Sequence, residues 1–223
     1  MLQDRLAQLG ASDEQVELLG SLEAAHIAGL PPLSPQDDQA GTRQKARCFA
    51  VRLVWTVTLR AQVPTSCFFQ AMKVFDAAST GAEPYEREVA LLALAAWTLC
   101  AKNEVAGMRA LESIVLCEVS ALLGCLPFSS LELRQTVSRL LVSHGSILRL
   151  ATVHTWVQIM ICRFASATDG HDAASTHAVS EFAEAVLEQC SFSFPTSVEH
   201  PPRMQGIACF ALMLVIAGFL SPE

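Results

Sequence analysis

From Val89 to Ala101 the chain offers no polar face, and Thr98 is the single polar side chain in that stretch. A helix that is apolar all round must be surrounded by other elements. Ala and Leu at this density favour helix over strand. One such segment therefore demands a bundle around it. Elsewhere β-branched residues are sparse and strict alternation is rare, so the expected class is all-α.

Punctuation along the chain divides it into helices. Ser12-Asp13-Glu14-Gln15 has the capping-box pattern and opens a helix expected to reach Ala28. Gly29, Pro31 and Pro32 then stop it, because proline cannot continue the hydrogen-bond ladder. Leu33 to Gly41 reads as a linker. Helices are expected at Arg43–Arg60, Pro64–Ser79, Tyr85–Lys102, Met108–Leu123 and Ser129–His144, with turns at Val63-Pro64, Gly81–Pro84 and Pro127. After Leu150 the pattern restarts, with helices at Thr152–Phe164, Ala173–Cys190 and Pro202–Phe219. The third helix of each half is the wholly apolar one. That repetition points to two small bundles in tandem, each built around its third helix, the second copy stopping after three. The expected divisions are 1–41 (N-terminal helix and linker), 42–150 and 151–223.

Composition removes several classes. Apolar residues make up 52% and charged residues 17%, which excludes disorder by composition. A surface poor in charge suits a protein that is partly covered by a partner. The net charge is 15 − 22 = −7, the wrong sign for a phosphate-backbone footprint, so no nucleic-acid partner is expected. Eight cysteines occur without a CxxC pair, mostly inside apolar runs, which reads as buried free thiols in a reducing compartment. Met1 to Arg5 does not read as a signal peptide. The longest uncharged apolar run, Gly206 to Leu220, is 15 residues against the roughly 20 a membrane span needs. No membrane partner is expected.

Three charged residues stand within or at the ends of apolar helices: Arg47, Asp76 and Lys102. An ionisable group in such a setting is costly unless paired. An Arg47–Asp76 pair across two packed helices would satisfy both groups, the planar guanidinium matching the carboxylate fork. The alternative is that each lies on a solvent face, as most charged residues do.

The stretches Ala46-Arg47-Cys48-Phe49-Ala50, Val63 to Asp76 and Leu91 to Glu104 resemble the cyclin box, and the intervals Arg47–Asp76 and Asp76–Lys102 are similar to those of the cyclin family. The resemblance is strong over Arg43 to Glu104, weaker to Leu150, and returns as a partial second box to Phe219. It implies a cyclin-like, two-bundle all-α fold with an N-terminal helix. Arg47 and Asp76 would form a buried ion pair between the first two helices. Lys102 would donate to the C helix of a cyclin-dependent kinase, with Glu104 and Arg109 at the rim and Leu91, Ala95 and Phe69 as core or interface packing. The implied function is a regulatory subunit in the nucleus and/or cytoplasm that binds and activates the kinase. It has no catalytic residues, cofactor, metal or small-molecule substrate of its own.

The chain departs from the family at several places, among them Ala77-Ala78-Ser79 after the aspartate, where the family has Arg and bulky residues. Cyclins carry a glutamate on the fifth helix that works with the lysine, whereas this chain has Val137 there and its nearest acidic residue is Glu132. The substrate-docking positions Ala46, Arg47, Phe49, Ala50 and Leu53 carry mostly smaller apolar anchors. The missing fifth-helix glutamate and the second box that stops after three helices motivate a second reading, a cyclin-fold adaptor that binds without activating. A third, a cyclin-fold transcription factor, is opposed by the negative charge.

Other signals are weak. His171 and His177 are six apart, a poor interval for two ligands on one helix face. No Gly-rich phosphate loop and no nucleophile-elbow motif is present. Glu181, Glu184 and Glu188 read as a solvated face, and Trp55, Trp97 and Trp156 as core.

Overall fold

The computed structural model describes residues 13–28, 40–79, 86–104, 116, 128–167, 173–193 and 200–219, and among these the regular structure is entirely helical. The helices are α1 (Asp13–Ala28), α2 (Ala40–Arg60), α3 (Thr65–Ala78), α4 (Glu86–Glu104), α5 (Ser130–His144), α6 (Val153–Ala167), α7 (Ala173–Ser193) and α8 (Pro202–Ile216). A 3-10 turn, Gly145–Arg149, follows α5 directly. The helix expected at Met108–Leu123, including Arg109, lies outside the described residues except for Leu116. So do the Ser12 cap, the Gly81–Pro84 turn and His171.

The chain divides into two compact units, Leu33–Arg149 and Met1–Pro32 together with Leu150–Glu223. The break at residue 150 coincides with the restart of the sequence pattern. The N-terminal helix, read from sequence as a segment apart, belongs with the second half.

In the unit Leu33–Arg149, α4 packs against α2, α3 and α5. Val89, Ala90 and every residue from Ala93 to Ala101 are buried, so this helix takes the central place its composition demands. Its polar groups are satisfied. Thr98 Oγ1 donates to the Leu94 carbonyl at 2.7 Å, and Trp97 Nε1 donates to Thr58 Oγ1 on α2 at 2.9 Å. Trp55 stacks edge-on to Phe68 at 4.9 Å, with Phe69 5.0 Å beyond.

Helix ends explain the joints. α2 ends in a reciprocal pair of bonds, Gln62 N–H to Leu59 O and Val63 N–H to Thr58 O, with Gln62 in the left-handed region at φ 53°. Pro64 then stands at the cap of α3 rather than inside its first turn. α5 opens on a full capping box: Ser129 Oγ accepts from the Glu132 backbone N–H, and the Glu132 carboxylate accepts from the Ser129 N–H. Gln70 Nε2 donates to the Ile147 carbonyl at 2.9 Å, tying α3 to the 3-10 turn.

In the other unit the expectation of a central third helix fails. α8 buries a single stripe, Gln205, Gly206, Cys209 and Met213, while Met204, Ile207, Leu212 and Ile216 are exposed. The central helix is α6: Trp156, Val157, Ile159, Ile161 and Cys162 are all buried and point around the full turn. Composition could not reveal this, because a helix apolar on every side does not say which side is covered. α8 stops at a Schellman turn, with Phe219 N–H bonded to Leu214 O, Gly218 N–H to Val215 O, and Gly218 at φ 79°.

α1 is held to this unit by one buried carboxylate. Glu23 Oε2 accepts from Trp156 Nε1 on α6 at 2.7 Å, and Glu23 Oε1 accepts from the Arg203 backbone N–H at 3.0 Å. The second bond satisfies an otherwise orphan donor in the first turn of α8. The Arg203 guanidinium lies over the Trp156 ring, 5.5 Å from its centroid. Val16 and Leu19 pack against Trp156, Ile159 and Ala151.

Candidate functional site

The sequence-derived candidates fall on α2, α3 and α4. Arg47 lies on the second turn of α2, and Asp76 lies on the last turn of α3, beside the buried Phe75. The two are brought together: Arg47 Nε donates to Asp76 Oδ1 at 3.0 Å and to Oδ2 at 3.3 Å. Their side chains are 16% and 11% exposed, so the pair is screened from bulk water but not sealed from it. It joins α2 to α3, two of the helices that enclose α4.

Lys102 and Glu104 are exposed on the last turn of α4. A cation there is favoured by the helix dipole. At 100° per residue the two side chains point to nearly opposite sides of the helix. Leu91 shares the azimuth of Lys102 but lies about 16 Å away along the axis. Ala95 and Thr98, which lie between them on that face, are fully buried. Phe69 is half-buried on α3. The four candidate kinase contacts therefore do not make one continuous surface. Lys102 and Glu104 form an exposed end, while Leu91 and Phe69 are half-buried.

The neighbouring α5 carries one carboxylate, Glu132, and it is committed. It closes the capping box and pairs with Arg87 of α4. Hydrogen bonds from Ser129 and Arg87 hold its carboxyl down to about 2. Val137 is half-buried, and the outer side of α5 presents Arg134, Gln135, Ser138 and Arg139 around a shallow open depression. Leu131, Leu141 and Val142 are exposed nearby on the same helix.

Two residues were missed in the sequence. The Ser129-Ser130-Leu131-Glu132 capping signature was legible and would have accounted for Glu132. Glu23, in a run of small residues, gave no sign that both its oxygens would be used internally. His177 pairs with Glu181 one turn on, at 3.6 Å. Among the described residues there is no group of three or more His, Cys, Asp or Glu placed to hold a metal ion, and no helix long and apolar enough to cross a membrane.

No family model matches the chain, and no curated protein or solved structure matches it either.

Proposed function

We propose that this chain is a cyclin-type regulatory subunit that binds and activates a cyclin-dependent serine/threonine protein kinase. The observation that carries the reading is the Arg47–Asp76 bridge joining α2 to α3 around a buried α4 that ends in an exposed Lys102. A rigid helix ending in a presented cation can act purely by binding: its ammonium meets backbone carbonyls at the end of a mobile kinase helix and holds that helix inward. Catalysis then stays in the kinase, whose Lys–Glu pair is ordered by the shift. The tandem two-bundle arrangement and a nuclear or cytoplasmic setting belong to the same proposal.

The test is capture of the full chain from its source cells, with the protein kinase activity of the eluate assayed. Lys102→Glu is expected to lower kinase retention at least roughly ten-fold, since reversing an interfacial charge leaves its partners unpaired, while the chain stays folded with a melting temperature lowered by only a few degrees through the lost dipole interaction. Retention unaffected by the substitution overturns the Lys102 assignment. Absence of any kinase overturns the function.

A second reading is favoured by α5. Its single carboxylate is held by Ser129 and Arg87, so it cannot assist Lys102 without breaking the helix cap. A cyclin-fold adaptor would retain the kinase in the same experiment without raising its activity.

A further inference from the structure

Cys67, Cys100 and Cys162 are shut in the interior, where thiols behave as small hydrophobes, and burial pushes the Cys100 and Cys162 thiols up. Cys190 is different. It is half-buried near the end of α7, on the face that buries Val179, Ala183 and Leu187. Cys209 stands on the buried stripe of α8. The two sulfurs meet where α7 packs on α8: Cys209 Sγ donates to Cys190 Sγ at 3.6 Å, van der Waals contact between sulfurs. Cys190 is the less buried of the two, and Cys209 is 2% exposed.

We propose that Cys190 is a site of oxidation by hydroperoxides and that Cys209 resolves the product, closing a disulfide across the α7–α8 seam. The Cys190 thiolate attacks one oxygen of hydrogen peroxide. An S–O bond forms, the O–O bond breaks, and the departing hydroxide takes up the thiol's proton as water. The sulfur of Cys209 then attacks Cys190 Sγ. The S–S bond forms as the S–O bond breaks, and the hydroxide leaves as a second water with the proton from Cys209. Two thiols lose two electrons in all and the peroxide gains two.

The order of attack follows from exposure, since Cys190 is half-buried and Cys209 is buried, and the hydrogen bond between them acts in the same direction. The S–H of Cys209 stabilises negative charge on its neighbour and holds the Cys190 thiol down to about 7, whereas the same bond and burial push Cys209 up. The half-buried Cys190 is thus the nucleophile toward peroxide, and the buried Cys209 serves the second step. Closure requires the sulfurs to approach from 3.6 Å to a bonding distance of about 2.0 Å.

The experiment uses the full chain, reduced, then exposed to hydrogen peroxide alone, alkylated, digested and mapped by mass spectrometry. The expected product is a peptide pair linked through Cys190 and Cys209, lighter by two hydrogens and restored by dithiothreitol. Cys190 is expected to react at least roughly ten-fold faster than Cys48, a half-buried thiol on α2 that serves as internal comparison. In Cys209→Ser the reaction should stop at a Cys190 sulfenic acid trapped by dimedone. Oxidation of Cys190 in the unaltered chain without linkage to Cys209 overturns the proposal. So does a Cys190 that reacts no faster than Cys48.

Discussion

Glu23 uses both carboxylate oxygens to tie α1 to helices far along the chain, one to the indole N–H of Trp156 at 2.7 Å and the other to the backbone N–H of Arg203 at 3.0 Å. It is 5% exposed, so the bonds are not replaced by water when it is removed. Glu23→Ala leaves a buried indole N–H and a helix-start N–H without partners. The expected cost is about 3 kcal/mol, from two charge-assisted bonds and the desolvated donors left behind. Urea denaturation followed by tryptophan emission measures the loss. Hydrogen exchange should show α1 losing protection ahead of α2 to α5.

Trp156 constrains its neighbour on α8 as well. A Cβ added at Gly206 would stand 2.7 Å from Trp156 Cβ, closer than packed carbons tolerate. Gly206→Ala should therefore destabilise by about 1–3 kcal/mol despite its better helix propensity. Gly145→Ala is the control. There φ is −58° and the added carbon meets only the tip of Leu141 at 3.4 Å, so stability should hold or rise slightly. Equal losses at both positions would refute the packing argument.

The Arg47–Asp76 bridge lies between the exposed and buried regimes. Arg47→Ala is expected to cost about 2 kcal/mol, more than a surface pair and less than a sealed one. A double-mutant cycle with Asp76→Ala isolates the pair itself. A coupling near zero would mean that α2 and α3 are joined by apolar packing alone.

Acid should act on the two units in successive windows that overlap only near pH 4 to 4.5. Burial holds the His154 imidazole down to about 4 from 6.5. As pH falls below 6.5 the unfolded chain takes up this proton first, so stability is lost between 6.5 and 4, by about 3 kcal/mol at most. Glu132 titrates near 2 in the fold against 4.5 otherwise, so its contribution is present above pH 4.5 and lost as pH falls toward 2. His154→Leu should flatten the first slope and Glu132→Gln the second, read from denaturation midpoints against pH. A slope left intact by its substitution identifies another group as its source.

The helices and their joints were largely legible because Pro64, the run Val89–Ala101 and Ser129 act through local rules of capping, propensity and periodicity. The pairing of Arg47 with Asp76 was one of two readings the sequence left open, and geometry selects it. What the residues did not disclose was non-local. α8 looked central because nothing in a uniformly apolar helix ranks its faces, whereas α6 earns that place through residues pointing in every direction. The attachment of α1 depends on Glu23 meeting partners 133 and 180 positions away, and no window-based pattern carries that. At the candidate site, Lys102 lies on an exposed helix end, the solvent-face alternative that the sequence left open for it, and the burial of Ala95 and Thr98 between it and Leu91 follows only from how α4 is enclosed.

The split membership of α1 bears on how the molecule is made. The unit Leu33–Arg149 is continuous and can finish folding while the ribosome is still working. α1 emerges before it, and its Glu23 gains its first partner, Trp156, 133 residues later and its second, the Arg203 N–H, 180 residues later. At ~5–20 residues per second that is a wait of roughly 10–40 s. Until Trp156 itself is made, Val16 and Leu19 lack the surface that later covers them, and a nascent-chain chaperone has its clearest opening there.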